Sequence, residues 1–219
     1  LYKIEASAQD SMSPVQQLLQ PYHDQLSQRM NEVIGYAEGD FVKMQPSGSL
    51  GSLVADAMLQ AARLQNKQVK GAISNYGGIR VPSMMKGDIT IGKIFEMLPF
   101  ENELVIVEVS GATLRNWLSH IQASGGWPIA RTYDYEILEA EDGGGPGIST
   151  YMTLEKGIDD DSLYYFATND YVANGGDNCE FLKACKKINT GLLIRDVMIR
   201  YTRERKRLVP DNSFRMRFK

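Results

Sequence analysis

The 219-residue chain is poor in the residues that usually carry hydrolytic chemistry. It has two histidines, His23 and His120, and two cysteines, Cys179 and Cys185. Most hydrolytic metal centres and nucleophilic triads use histidine, so little is available here to build one. Neither HExxH, HxH, DxH, CxxC, GxSxG nor a P-loop occurs. No apolar run approaches the ~18 residues of a bilayer span, so no membrane-crossing helix is expected. Basic charge is not in excess: 24 Lys and Arg against 27 Asp and Glu leave a net charge of −3, which argues against a nucleic-acid partner. Hydrophobic residues are not scarce, at 43%, which excludes a disordered tail. A chain of this size buries about 70% of its extended surface on folding and needs no disulfide or metal staple. It begins at Leu1 with no charged or apolar leader, the pattern of a processed chain or a fragment.

What is present is patterned. Ser13-Pro14-Val15-Gln16 reads as a helix start, with serine as cap and proline at the first helical position. Val15, Leu18, Leu19, Tyr22, Leu26 and Met30 follow at helical spacing. Residues 33–42 suggest a strand pair or one irregular strand. After Ser47-Gly48-Ser49, the spacing of Leu50, Leu53, Val54, Ala57, Met58, Ala61 and Leu64 predicts a helix to about Asn66. Strands are expected at 69–74, 88–91, 104–109, 133–138, 163–168 and 214–218. Helices are expected at 92–98, 111–122, 179–187 and 192–205. Within the 179–187 helix the two cysteines would stand about 9 Å apart along the axis, too far for a disulfide. Strands and helices mix irregularly, so the fold class is α+β: a single compact domain with a mixed β-sheet flanked by helices. The expected division is an N-terminal extension and linker helix over 1–32, then one domain over 33–219.

Three places stand out chemically. Asn75-Tyr76-Gly77-Gly78-Ile79-Arg80 follows a short buried strand. Paired glycines permit positive φ and close backbone approach to a ligand. Asn75 offers a donor and an acceptor, and Arg80 a fork suited to phosphate or carboxylate. Asn169-Asp170-Tyr171-Val172-Ala173-Asn174-Gly175-Gly176-Asp177 follows a second strand and brings a ring and a carboxylate to another glycine pair. Between them Pro99-Phe100 places a ring in a turn. Two rings, an acid and an arginine are the parts of a nucleotide site. On spacing alone they are also the parts of ordinary turns and of a core phenylalanine. The glycine-rich run Glu141-Asp142-Gly143-Gly144-Gly145-Pro146-Gly147 has no GK[ST] and opens no helix, so it reads as a surface loop. His23 and His120 have no second ligand at metal spacing and read as structural, His120 at a helix end where it suits the dipole.

The order of these segments resembles the C-terminal, substrate-binding domain of the 5′-nucleotidase family, which includes UDP-sugar hydrolases and 2′,3′-cyclic phosphodiesterases. The segments are Leu50-Gly51-Ser52-Leu53-Val54-Ala55-Asp56-Ala57, Asn75-Tyr76-Gly77-Gly78-Ile79-Arg80, Gly87-Asp88-Ile89-Thr90, Leu98-Pro99-Phe100-Glu101-Asn102, Val109-Ser110-Gly111-Ala112-Thr113-Leu114 and Ala173-Asn174-Gly175-Gly176-Asp177. The resemblance implies that Phe100 and Tyr171 clamp a base, Tyr171 replacing the usual phenylalanine. It implies that Asn75 contacts the base, Asp177 the ribose hydroxyls and Arg80 the phosphate side, with Gly77 and Gly78 admitting the ligand to the backbone. Two residues before Gly51, where some members carry a phosphate-holding arginine, stands Ser49, which implies weaker phosphate binding.

Family members also carry an N-terminal metallophosphatase domain whose Asp, Asn and His residues hold two metals that activate water. No catalytic or metal residue is expected on this chain; the divalent metal pair belongs to a separate metallophosphatase domain or chain. The expected role is therefore the nucleotide- or nucleoside-recognition half of a 5′-nucleotidase-like phosphohydrolase. The alternatives are a stand-alone nucleoside-binding module and an interaction domain with a decayed pocket. The resemblance further implies export to the periplasm or cell surface.

Overall fold

The strand expected at 104–109 becomes the spine of the fold. The computed structural model describes residues 14–131, 136–139, 150–153, 157–213 and 215. The elements that concern the site are α1 (Pro14–Met30), β1 (Val33–Ala37), β2 (Phe41–Val42), α2 (Ser49–Gln65) and β3 (Val69–Ala72). They continue with β4 (Ser83–Met84), β5 (Gly87–Thr90), α3 (Ile91–Met97), β6 (Glu103–Ser110) and α4 (Gly111–Ala123). After β7 (Glu136–Glu139) and β8 (Thr150–Thr153) come β9 (Leu163–Asn169), α5 (Asp170–Ala173), β10 (Lys186–Leu193), α6 (Ile194–Arg205) and β11 (Arg207–Leu208).

The main sheet has the order β10-β6-β9-β3, with β6 antiparallel to both neighbours and β3 parallel to β9. Side chains alternate across a strand, and β6 uses both faces. Leu104 and Ile106 join α2, α3 and α6 in one apolar core, while Val105, Val107 and Val109 join α4 in a second. Full burial of each such side chain stabilises by roughly 1.5–3 kcal/mol, which is why the central strand is apolar almost throughout. A smaller sheet runs β11-β1-β5, and β2 pairs β4. The architecture is the expected α+β.

Local chemistry sets the helix ends. Thr90 caps α3 by accepting from the Lys93 amide, and Ser110 caps α4 by accepting from the Thr113 amide. Several expectations change. β1 and β2 do not pair with each other; they enter different sheets. The 179–187 helix is absent: Glu180–Leu182 is a single 3₁₀ turn and β10 begins at Lys186. Pairing with β6, from Lys186 opposite Glu108 to Leu193 opposite Glu103, overrides local propensity there. The cysteines are free thiols, but not because a helix separates them. The apolar stripe of α1 leaves Val15, Leu18, Leu19, Tyr22 and Leu26 exposed, and only Met30 packs on the core. The Ser13 cap, the 141–147 loop and most of the 133–138 and 214–218 strands lie outside the described residues.

Candidate functional site

Strand direction brings the three chemical segments together. β3 and β9 run parallel, with Ala72 opposite Ala167, so the chain leaves both at the same edge of the sheet. One exit leads to Asn75-Tyr76-Gly77-Gly78, the other to Asn169 and α5. β6 runs antiparallel to β9 with Leu104 opposite Asn169, so the residues entering β6, Phe100 to Asn102, arrive at that edge too. The result is a cavity of about 330 Å³ lined by Asn75, Gly77, Gly78, Arg80, Phe100, Asn102, Tyr171 and Asp177. All seven residues singled out in the sequence line it. Asn102 is the addition; it lay inside a quoted motif without a role.

Asparagine side chains organise the floor. Asn169 accepts from the Val172 amide with Oδ1 (2.8 Å), capping α5, and donates through Nδ2 to Asn75 Oδ1 (2.8 Å). Asn75 in turn donates through Nδ2 to Asp177 Oδ2 (2.7 Å). Asn75 is only 5% exposed. Each of its amide atoms already holds one neighbour, so one N–H and one acceptor position remain for a ligand. Asn75 is thus first a brace for Asp177 and only then a contact. Asn169 was missed as a member of the site; its position at the head of the second loop was the available signal.

Asp177 is held on the other oxygen by Tyr171, whose hydroxyl donates to Oδ1 (3.0 Å) and accepts from the Asp177 amide (3.3 Å). Each carboxylate oxygen has two acceptor positions, so one remains on each for a ligand hydroxyl. Gly175 takes the positive φ of 94° that turns the loop. Gly77 and Gly78 do not adopt positive φ, contrary to the expectation for a glycine pair. The need at Gly78 is space: a Cβ there would lie 2.9 Å from Asn75 Oδ1.

Phe100 and Tyr171 are 47% and 48% exposed, unusual for rings, and both face the cavity. The Arg80 guanidinium lies 5.6 Å from the Phe100 ring centroid and donates to the Gly77 carbonyl (3.3 Å). Lys43 stands behind the same loop, donating to the Ile79 carbonyl (2.7 Å) with its ammonium 4.0 Å from the Tyr76 ring centroid. Burial, and then the nearby Arg80 charge, hold its ammonium below the usual lysine value. The cavity thus has one carboxylate, Asp177, and one cation, Arg80, in its wall, with Lys43 outside the lining behind the Arg80 loop. Ser49 is not part of it. It is 4% exposed and its hydroxyl accepts from the Val42 amide (2.9 Å), so the second cation by Arg80 is Lys43.

The family model described as "5′-nucleotidase, C-terminal domain" matches residues 33–187. The chain belongs to this family. It is 30% identical over 74% of its length to the trifunctional nucleotide phosphoesterase protein YfkN of Bacillus subtilis, and covers 12% of that protein. It is 30% identical over 85% of its length to an apyrase of Anopheles gambiae, and covers 35% of it. A 5′-nucleotidase precursor from Thermus thermophilus superposes with a TM-score of 0.72 at 28% identity, over 91% of this chain and 42% of that one. This 5′-nucleotidase C-terminal domain therefore spans about a third or less of the curated relatives named here. Among its described residues no group of three or more His, Cys, Asp or Glu is placed to hold a metal ion. They do not fit the two-metal pair. No helix among them is long and apolar enough to cross a membrane.

Proposed function

We propose that this domain is the nucleotide- or nucleoside-recognition half of a 5′-nucleotidase-like phosphohydrolase, with catalysis supplied by a two-metal phosphatase domain or chain. The observation that carries the reading is the convergence of Asn75, Arg80, Phe100, Tyr171 and Asp177 on one open cavity of about 330 Å³, the size range of small-molecule sites. Phe100 and Tyr171 would take the base between them; stacking of this kind is worth about 1–3 kcal/mol per base. The free acceptor positions of Asp177 suit two ribose hydroxyls. Arg80, with Lys43 behind it, suits the phosphate end. The Asn102 amide lines the cavity with no side-chain hydrogen bond among the described residues, leaving it available to a base edge. Residues 33–219 would be the recognition domain and residues 1–32 its linker. Export to the periplasm or cell surface fits the reading, since a cell wall protein of Listeria monocytogenes is 26% identical over 81% of the chain.

The stand-alone nucleoside-binding module remains the second reading, because the recognition residues alone would serve it. Thermal unfolding with 5′-AMP tests the proposal. A ligand that binds only the folded state raises Tm as its concentration exceeds Kd. The expected result is a Tm rise with AMP that Asp177→Ala abolishes. Phosphate release from AMP by this chain alone, surviving Asp177→Ala and Arg80→Ala, would overturn it. Tight association with a metallophosphatase chain would count against the stand-alone module.

A further inference from the structure

His120 lies on α4, behind the loop that carries Asp177, and does not line the cavity. Its ring meets Trp127 edge-on (centroids 5.6 Å apart, planes at 90°) and Phe181 likewise (6.1 Å, 68°). These neighbours fix where the imidazole points. Nε2 is 2.8 Å from the backbone carbonyl oxygen of Asp177. A carbonyl oxygen only accepts, so Nε2 carries the proton and donates it. In apolar surroundings such a bond is stronger than in water.

The residue it holds lies in a tight left-handed turn. Asp177 and Asn178 have φ of 50° and 62°, a region uncommon for non-glycine residues but open to Asp and Asn where local hydrogen bonds support it. Asn75 and Tyr171 restrain the carboxylate, and Tyr171 also accepts from the Asp177 amide. His120 holds the carbonyl at 2.8 Å, with the Cys179 thiol a longer, weaker donor to the same oxygen at 3.9 Å. Loss of this bond frees the 177–178 peptide and with it the backbone from which the carboxylate projects.

We infer that His120 is a positioning residue: it holds the Asp177 peptide in its left-handed conformation and so aims the carboxylate at the ribose diol of a bound nucleoside. The inference rests on the proposed reading that Asp177 receives ribose hydroxyls. His120 reaches the ligand through Asp177 and only secondarily through the Tyr171 hydroxyl bonded to it, so its loss weakens ligands that carry the diol more than ligands that lack it.

The test is calorimetric titration with adenosine and with 2′,3′-dideoxyadenosine. His120→Met keeps length and removes the donor; His120→Gln keeps an N–H near the same place. The expected result is that His120→Met weakens adenosine about three- to tenfold, the net effect of one lost hydrogen bond. Dideoxyadenosine binding falls by clearly less, and His120→Gln restores most of the adenosine affinity. His120→Met that binds adenosine like wild type, or that loses both ligands equally, overturns the inference alone. Wild type that binds neither nucleoside, or an Asp177→Ala variant that keeps the wild-type preference for adenosine over dideoxyadenosine, overturns the reading of the cavity and the inference with it. Should His120→Met not fold, ¹⁵N spectra of the wild-type imidazole decide: an Nε2–H tautomer is expected, and an Nδ1–H tautomer overturns it.

Discussion

A single methyl group at Gly176 separates the binding site from the fold. A Cβ on Gly176 would lie 2.5 Å from Cε1 and Cζ of Tyr171, where carbon atoms rest at about 3.5–4.0 Å. The ring must therefore retreat by about 1 Å. It can do so cheaply for stability, because Tyr171 is 48% exposed and surface changes usually stay within about 0.5 kcal/mol. It cannot do so cheaply for the site. Retreat pulls the hydroxyl from Asp177 Oδ1 (3.0 Å) and the Asp177 amide (3.3 Å) and moves the ring from the cavity wall. Loss of base stacking costs about 1–3 kcal/mol, so Gly176→Ala should weaken adenosine by about 5- to 150-fold. Titration calorimetry beside a thermal melt reads both effects. The expected outcome is a marked loss of affinity with a nearly unchanged Tm. In a Tyr171→Ala background the same methyl should add nothing, since the two changes act through one ring. Adenosine binding unaltered by Gly176→Ala, or losses that simply add, would refute the reasoning.

Other perturbations follow from named contacts. Asn75→Leu leaves Asn169 Nδ2 and Asp177 Oδ2 without their partner; denaturant melts should show a loss of about 1–3 kcal/mol, with nucleoside binding lost as well. Arg215 is 7% exposed on its side chain and pairs with both oxygens of Asp56 and with Asp211, so Arg215→Met should cost about 3–5 kcal/mol in urea unfolding without changing ligand affinity in the folded chain. Burial opposes the Asp211 charge, but hydrogen bonds from Ser213 and Arg215 and the Arg215 charge outweigh it and hold the carboxyl at about 2. Its folded value lies below its unfolded one, so the stabilisation, on the order of 2 kcal/mol, is complete above the unfolded value and fades as pH falls through the folded one. The stability gap between wild type and Asp211→Asn should close on acidification across that window. Burial, then the Asp177 and Glu180 charges, push the Cys179 thiol up to about 12, while Cys185 is only half-buried and the Lys187 charge offsets part of the rise that burial causes there. Alkylation at pH 8 should therefore reach Cys185 before Cys179, read by mass spectrometry; the reverse order would contradict this.

Much of this was legible in the sequence where the determinant is local. The stripe from Leu50 to Leu64 carries its own periodicity, and α2 stands where that pattern places it, with Leu64 alone of the stripe exposed; α3 and α4 stand close to the helices expected at 92–98 and 111–122. β10 was not legible: Lys186-Lys187-Ile188-Asn189-Thr190-Gly191 is a mostly exposed edge strand whose conformation comes from pairing with β6. The α1 stripe showed where a helix forms but not what it packs against, since most of it remains exposed. In the site, all the lining residues but Asn102 could be named once the motifs were joined to the family resemblance. Their bracing could not, because the Asn169–Asn75 bond joins residues 94 positions apart and exists only because β3 and β9 are parallel neighbours. The same holds for His120, whose role is set by the Asp177 carbonyl and by no residue near it in sequence.

Entry of a nucleoside between Phe100 and Tyr171 is the central claim. Calorimetric titration of the 219-residue chain with adenosine, repeated on Phe100→Ala and Tyr171→Ala, measures this directly. Saturable one-site binding that each ring deletion weakens by about 1–3 kcal/mol is the predicted result. No heat at millimolar adenosine, or binding that survives both deletions, would contradict it.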